Sequence, residues 1–166
     1  MDQFDDPAVS SFAGLGYSVD ISGDRIVVGV HWEGRPWSQN NPDKVRIHER
    51  DHPVAGQWGL VREILPADGT VSEYFGSSVA ISADHVLIGS PGPTDGSGAN
   101  RGFVEVYRRA PAAAPTWTAI DRLAPGAPAT ADRFGLAVAI DGFTGVAGAP
   151  DDGVNAFTAG LAGSVT

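Results

Sequence analysis

Short runs in which apolar and polar residues alternate recur along the chain and predict β-strands. Residues 45–47 and 104–106 each turn two β-branched residues to one side and a charged residue to the other, the period-two pattern of a half-buried strand. The runs 25–29 and 86–89 are largely apolar, as in an inner strand covered on both faces. Since no window shows the 3.6-residue period of an amphipathic helix, the pattern predicts an all-β fold.

The same pattern returns at a fixed spacing, which indicates an internal repeat. Residues 75–81 and 134–140 are identical at five of seven positions with an offset of 59, and residues 15–21 fit the same frame with an offset of 60. Glycine, proline and tryptophan positions further along keep this register. The chain is therefore read as one repeat segment, 1–166, with copies at about 11–70, 71–129 and 130–166.

Each copy contains four short strand signals, the number in one blade of a β-propeller. The tight segments 22–24 and 82–84 predict hairpins between the first and second strands. Two sheets packed as a sandwich are the alternative, but a sandwich does not require a fixed repeat. The predicted fold is nearly three blades of four antiparallel strands in an incomplete ring, with glycines where backbones approach at a crowded axis.

Two paired motifs carry a family resemblance. Phe-Gly at 75–76 is followed by Ile-Gly-Ser-Pro at 88–91, and Phe-Gly at 134–135 is followed by Ala-Gly-Ala-Pro at 147–150. With Gly-x-Val-x-Val-Tyr at 102–107, the chain resembles the bacterial subtype of FG-GAP repeats, the blades of the integrin α-chain propeller and of many bacterial extracellular proteins. The resemblance implies a propeller fold, a role in recognition, and an extracellular or cell-surface location.

One part of the family pattern is absent. The integrin-type repeat carries a calcium loop rich in aspartates between its first and second strands. Here the matching segments contain only the scattered carboxylates of Asp20, Asp24, Asp84 and Asp141. Calcium takes six to eight oxygen ligands, several of them carboxylate, so the family's calcium sites are not carried over and no cofactor is predicted.

The predicted contact residues lie in the loops between the second and third strands. Two interpretations stay open for the aromatic residues of the first loop: they pack the loop against its blade, or they contact a glycan or protein ligand. The aspartates of the third loop are either turn residues or ligands of a hard cation. The loops are 31–43, 92–101 and 151–162, and the candidates are His31, Trp32, Trp37, Asp95, Asp151 and Asp152.

No motif points to catalysis or to a transition metal. His48 and His52 stand about 13 Å apart on an extended strand, too far to share one zinc ion. The sequence has no Gly-x-Ser-x-Gly elbow, phosphate-cradling loop or metalloprotease helix motif. The chain is therefore predicted not to be an enzyme.

The net charge and the composition argue against several classes of binding partner. The net charge of −9 argues against nucleic acid and anionic membranes, and no apolar stretch approaches a membrane span. The absence of cysteine excludes disulfides and thiolate chemistry. The acidic segment 1–7 is not a signal peptide, so the protein is either intracellular or carries an export signal outside this sequence.

The ring itself is expected to be incomplete. The repeat spacing places the third strand of copy three at 163–166, and fewer than three blades leave open strand edges. Two explanations stay open: the chain is a piece of a larger propeller, or its copies complete the ring as a homo-oligomer, by docking or by exchange of a terminal strand; the second is favoured. The predicted function is a non-catalytic recognition or scaffold module for a protein or glycan. The alternative is an ancillary substrate-binding domain of a surface hydrolase or lyase.

Overall fold

Eleven β-strands and no helix form the part of the chain described by the computed structural model. The described residues are 14–31, 43–66, 74–92, 102–111, 116–124, 133–150 and 157–160. The strands are β1 (Gly14–Ser22), β2 (Arg25–His31), β3 (Lys44–Arg50), β4 (Trp58–Ile64), β5 (Ser78–Ser82), β6 (His85–Ser90), β7 (Phe103–Arg109), β8 (Trp117–Leu123), β9 (Ala137–Asp141), β10 (Thr144–Gly148) and β11 (Phe157–Gly160).

These strands form three separate antiparallel sheets that do not close on each other. Sheet 1 has the order β1-β2-β3-β4, sheet 2 has the order β5-β6-β7-β8, and sheet 3 has the order β9-β10-β11. Each is a meander in which sequence neighbours pair. The predicted fold class, all-β with propeller-like blades in an incomplete ring, is confirmed.

Local geometry repeats from sheet to sheet. The first two strands of sheets 1 and 2 are joined by two-residue turns, since Ser22 pairs with Arg25 and Ser82 pairs with His85. The third and fourth strands of both sheets carry a register shift at the same place, after Ile47 in β3 and at the equivalent point of β7. A bulge of this kind increases strand twist, which suits a propeller blade.

Each sheet has two unlike faces. We call front the face with the apolar residues of its first strand, and back the opposite face. The front of sheet 2 packs on the back of sheet 1 in one apolar cluster, and the front of sheet 3 packs on the back of sheet 2 in another. The front residues are Val19 and Ile21 in sheet 1, Val79 and Ile81 in sheet 2, and Val138 and Ile140 in sheet 3.

Glycine backbones meet where the sheets come closest. A Cβ atom built on Gly29 of sheet 1 would collide with the carbonyl oxygen of Gly76, at the start of sheet 2. Gly89 stands in the same relation to Gly135 at the start of sheet 3. Gly76 and Gly135 also have φ values of 80° and 86°, which disfavour any residue with a side chain. The predicted role of these glycines, close backbone approach between blades, is confirmed.

A serine hydroxyl crosses each junction beside these glycines. Ser18 Oγ donates to the carbonyl oxygen of Gly76 at 2.7 Å. Ser78 Oγ donates to the carbonyl oxygen of Gly135 at the same distance, 2.7 Å. Each bond satisfies a partly buried carbonyl that the close backbone approach screens from water.

A second hydrogen bond crosses each junction at the hairpin end. The backbone N–H of Ala83 donates to Ser22 Oγ at 3.1 Å, and that of Gly142 donates to Ser82 Oγ at 3.0 Å. The two junctions are thus built by the same pair of contacts, which explains why these positions keep the repeat register in the sequence.

The third strand of copy three differs from the prediction. Spacing carried over from the other copies places it at 163–166, but β11 is formed by Phe157–Gly160 and pairs with β10. The connection that precedes this strand is shorter than in sheets 1 and 2, so a fixed period misplaces it. Residues 161–166 lie outside the described part of the chain.

Replacing Gly89 with Ala should lower the free energy of unfolding by about 2–3 kcal/mol, because the added methyl group meets a backbone carbonyl that cannot move aside. Gly148 is the matched control, since a Cβ there has only ordinary contacts at 3.7 Å and beyond. Gly148→Ala should change stability by less than about 0.5 kcal/mol. Urea unfolding of dilute protein measures both, and equal effects would contradict the junction role.

Candidate functional site

The described residues include one of the six predicted contact residues, His31. The other five, Trp32, Trp37, Asp95, Asp151 and Asp152, lie outside the described part of the chain. His31 is the last residue of β2 rather than a loop residue, and its side chain is fully buried. The sequence pattern predicts an exposed position for it, and the structure places it instead at the junction of sheets 1 and 2.

The His31 ring lies between aromatic neighbours at this junction. It stacks on Tyr17 with ring centroids 4.1 Å apart and planes inclined by 14°. Tyr74, just before sheet 2, lies at 6.2 Å with a tilted ring. Stacking of this kind fixes the imidazole against β1, the first strand of sheet 1.

A carboxylate completes the corner. Asp43 Oδ2 lies 3.6 Å from Nδ1 of His31. The same oxygen accepts a hydrogen bond of 2.7 Å from the backbone N–H of Tyr74. Asp43 therefore links the start of β3 to the segment that leads into sheet 2, across the junction.

Burial decides the charge state of His31. Loss of hydration lowers the pKa of its imidazole, while the Asp43 carboxylate and the backbone of Gly76 act in the opposite direction and do not overcome burial. His31 is therefore neutral at pH 7, and it packs as an aromatic ring within the corner.

The exposed aromatic surface at this corner comes from residues that the sequence reasoning missed. Tyr17 and Tyr74 both expose a large part of their side chains. The repeat aligns Tyr17 with Ser77 of sheet 2 and Tyr74 with Arg133 of sheet 3. A tyrosine found in one copy only was therefore the signal in the sequence that could have identified these two residues. Exposed tyrosine rings suit contact with a protein or a sugar.

A charged network holds the opposite, hairpin end of the same junction. Glu49 Oε1 accepts hydrogen bonds from Nε of Arg109 at 2.9 Å and from Nε of Arg25 at 3.3 Å. Asp20 Oδ2 accepts a hydrogen bond of 2.8 Å from the backbone N–H of Ile81. These carboxylates are engaged in holding sheets 1 and 2 together.

Among the first strands of the three described sheets, β1 has the least covered front. Val19 is 64% exposed and Ile21 is 60% exposed, whereas their counterparts Val79 and Ile81 in sheet 2 are 8% and 4% exposed. Both residues alternate along β1 with polar residues of the opposite face. We call the pair Val19 and Ile21 the β1 stripe; exposed apolar patches of this kind mark interaction surfaces.

Two further observations concern metals and membranes. Within the described ranges, no three His, Asp or Glu side chains are grouped so that they could hold a metal ion. In the same part of the chain, no helix has the length and apolar character needed to cross a membrane.

Comparison with known families agrees with the repeat geometry. Residues 58–107 match the model of the FG-GAP repeat. The matched segment runs from β4 through β7, so it includes the crossing from sheet 1 to sheet 2. No curated protein matches the chain.

Stability should fall as the pH drops from about 7 to about 5, in part through His31. Because its folded-state pKa is lowered, the unfolded chain binds a proton below the ordinary value of about 6.5 that the folded chain does not bind. The stabilisation is complete above that value and is lost below it. His31→Phe keeps the stack on Tyr17 and should reduce this slope, measured by urea unfolding across the range.

The remaining slope belongs to other groups, including His85, whose pKa burial also lowers. Between pH 7.5 and 8.5, His31→Phe and the parent protein should show the same pH dependence. An unchanged slope between pH 5 and 7 would mean that His31 is charged in the folded protein.

Proposed function

We propose that this chain, which carries an FG-GAP repeat at residues 58–107, is a non-catalytic extracellular recognition and scaffold module that completes a propeller ring by self-association. The observation that carries the proposal is the β1 stripe. It exposes residues whose counterparts in sheet 2 are buried by a neighbouring blade.

The recognition surface is proposed at the end of the sheets where the second strands finish. His31 and Ser90 end β2 and β6 at this end, close to the glycine contacts of the two junctions. The loops that follow contain the predicted contact residues, and Tyr17 and Tyr74 supply aromatic surface beside them. A rigid β scaffold that presents variable loops is a common arrangement for binding a protein or glycan.

The alternative function is an ancillary domain of a surface hydrolase or lyase that contributes substrate contact. It uses the same aromatic corner as the recognition surface. The two differ in one measurable respect, since an ancillary domain binds the substrate of the enzyme it belongs to.

Light scattering of the purified chain should give a mass of two or more chains, because an isolated monomer leaves the β1 stripe in water. A glycan array and a general hydrolase screen on the same preparation should show binding without turnover. A monomer at all concentrations would contradict self-association, and turnover by the isolated chain would contradict the non-catalytic role. Binding confined to the substrate of one hydrolase class would favour the ancillary domain.

A further inference from the structure

The two internal junctions follow one rule, which defines what a further junction requires. The back of one sheet supplies a hydroxyl donor and an oxygen acceptor from its first strand. The front of the next sheet supplies a glycine carbonyl, a hairpin N–H and two apolar residues. Any surface with the second set is a receiving half, and any surface with the first set is its complement.

The front of sheet 1 has the complete receiving half. Gly16 has a φ of 86°, matching the 80° of Gly76 and the 86° of Gly135, so its backbone has the same left-handed conformation at the equivalent position. Gly23 has a φ of 59°, near the 48° of Ala83, and occupies the same hairpin position. Among the described residues, a Cβ built on Gly16 or on Gly23 would have no neighbour within 4 Å.

The back of sheet 3 has the complementary half, with two changed residues. Val146 is 39% exposed, whereas its counterpart Leu87 is 1% exposed under the front of sheet 3. Ala137 and Asp141 are also exposed, at the positions that serines occupy in sheets 1 and 2. The acceptor is therefore retained as a carboxylate, and the hydroxyl donor is lost.

We infer that the front of sheet 1 binds the back of sheet 3 of a second copy of this chain, in a head-to-tail contact that repeats the internal junctions. Val19 and Ile21 of one copy then pack against Val146 of the other, as Val138 and Ile140 pack beside Leu87 within the chain. This inference rests on the proposed self-association and adds which surfaces make it.

The changed acceptor suits this contact. In the internal junctions a serine oxygen accepts the hairpin N–H, as Ser82 does from Gly142. At the intermolecular junction the carboxylate of Asp141 faces the N–H of Gly23. A hydrogen bond to a charged acceptor is stronger than one to a hydroxyl, which offsets the donor lost at Ala137.

The next polar position is also compatible. Between sheets 1 and 2, Arg25 Nη1 lies 3.2 Å from the Asp84 carboxylate. The equivalent intermolecular pair is Thr144 of one copy and Asp24 of the other, both exposed. A threonine hydroxyl can donate to that carboxylate.

The contact is confined to the first strand of sheet 1 with its hairpin turn and to the first two strands of sheet 3. On the front of sheet 1, Lys44, Arg46 and His48 of β3 are buried within the folded chain. The exposed part is the β1 stripe with its adjoining turn. Because front and back are different surfaces, each copy offers one of each, and a ring closes when every front is matched with a back.

Mixing of two variants tests this assignment. Val19→Asp with Ile21→Asp disables the front, and Val146→Asp disables the back; all three residues are exposed, so the fold should survive, which circular dichroism and thermal unfolding check. Each variant alone should lose association by at least about 100-fold in Kd. Their equimolar mixture should form a one-to-one heterodimer, because one intact front and one intact back remain. Sedimentation velocity measures all of these.

Ile120→Asp is the matched control, since Ile120 is exposed on β8, outside the front of sheet 1 and the back of sheet 3. The Ile120→Asp variant should associate like the parent protein. A front-to-front dimer would be disrupted by the front variant alone and not rescued in the mixture. An exchanged strand would leave both variants associated. Either result overturns the head-to-tail assignment while self-association stands, whereas a monomeric parent protein removes both.

A gain-of-function variant gives an independent readout. Ala137→Ser restores the hydroxyl that Ser18 and Ser78 provide in the internal junctions. It should lower the Kd of association by about threefold to tenfold, the range expected for one net hydrogen bond. The same substitution should have no effect in the Val19→Asp and Ile21→Asp background, where the receiving front is absent. An unchanged Kd in the parent would overturn the assignment.

Discussion

The close approach of two backbones at each junction is the constraint on which the rest of the structure depends. Gly29 and Gly89 must lack a Cβ because the carbonyls of Gly76 and Gly135 occupy that space. This proximity brings Ser18 and Ser78 within hydrogen-bond distance of those carbonyls, and it sets the separation at which the apolar fronts and backs interlock. Without it, the sheets would be independent meanders, and none of them could bury its apolar faces alone.

The same constraint gives the stack a direction. A donor hydroxyl lies on the back of each of the first two sheets, and a glycine carbonyl lies on each front, so neighbouring sheets relate by succession and not by a two-fold axis. The exposed Val19 and Val146 are therefore unlike ends of one series, although each is an ordinary apolar side chain. Their role in an intermolecular junction is inferred from their counterparts Val79 and Leu87, which are buried at the internal junctions.

The repeat in the sequence was sufficient to predict the structural features that recur from copy to copy. The strands, the hairpins and the glycine contacts follow from the alternation of apolar and polar residues, the turn residues and the repeat register. They can be predicted because the same residue types occupy the same positions in successive copies. The repeat register gave the wrong position for the third strand of copy three, because the connection before β11 is shorter and the strand is Phe157–Gly160. It also failed at His31, because burial there depends on Tyr17 and Asp43, which come together only when two sheets pack. The proposed loop contacts beyond His31 stay predictions.

Residues that differ between the repeat copies distinguish the first junction from the second. At the first junction His31, Asp43 and Tyr74 build a buried polar corner with exposed aromatic edges. The second junction has Pro91, Gly102 and Arg133 at the equivalent places, and a direct backbone bridge from Gly102 to Phe134 replaces the carboxylate link. Since both junctions keep the same glycine and serine contacts, the corner is not needed to hold the sheets together. A feature dispensable for the scaffold but present at its loop-bearing end is the part of this molecule best suited to specify a ligand.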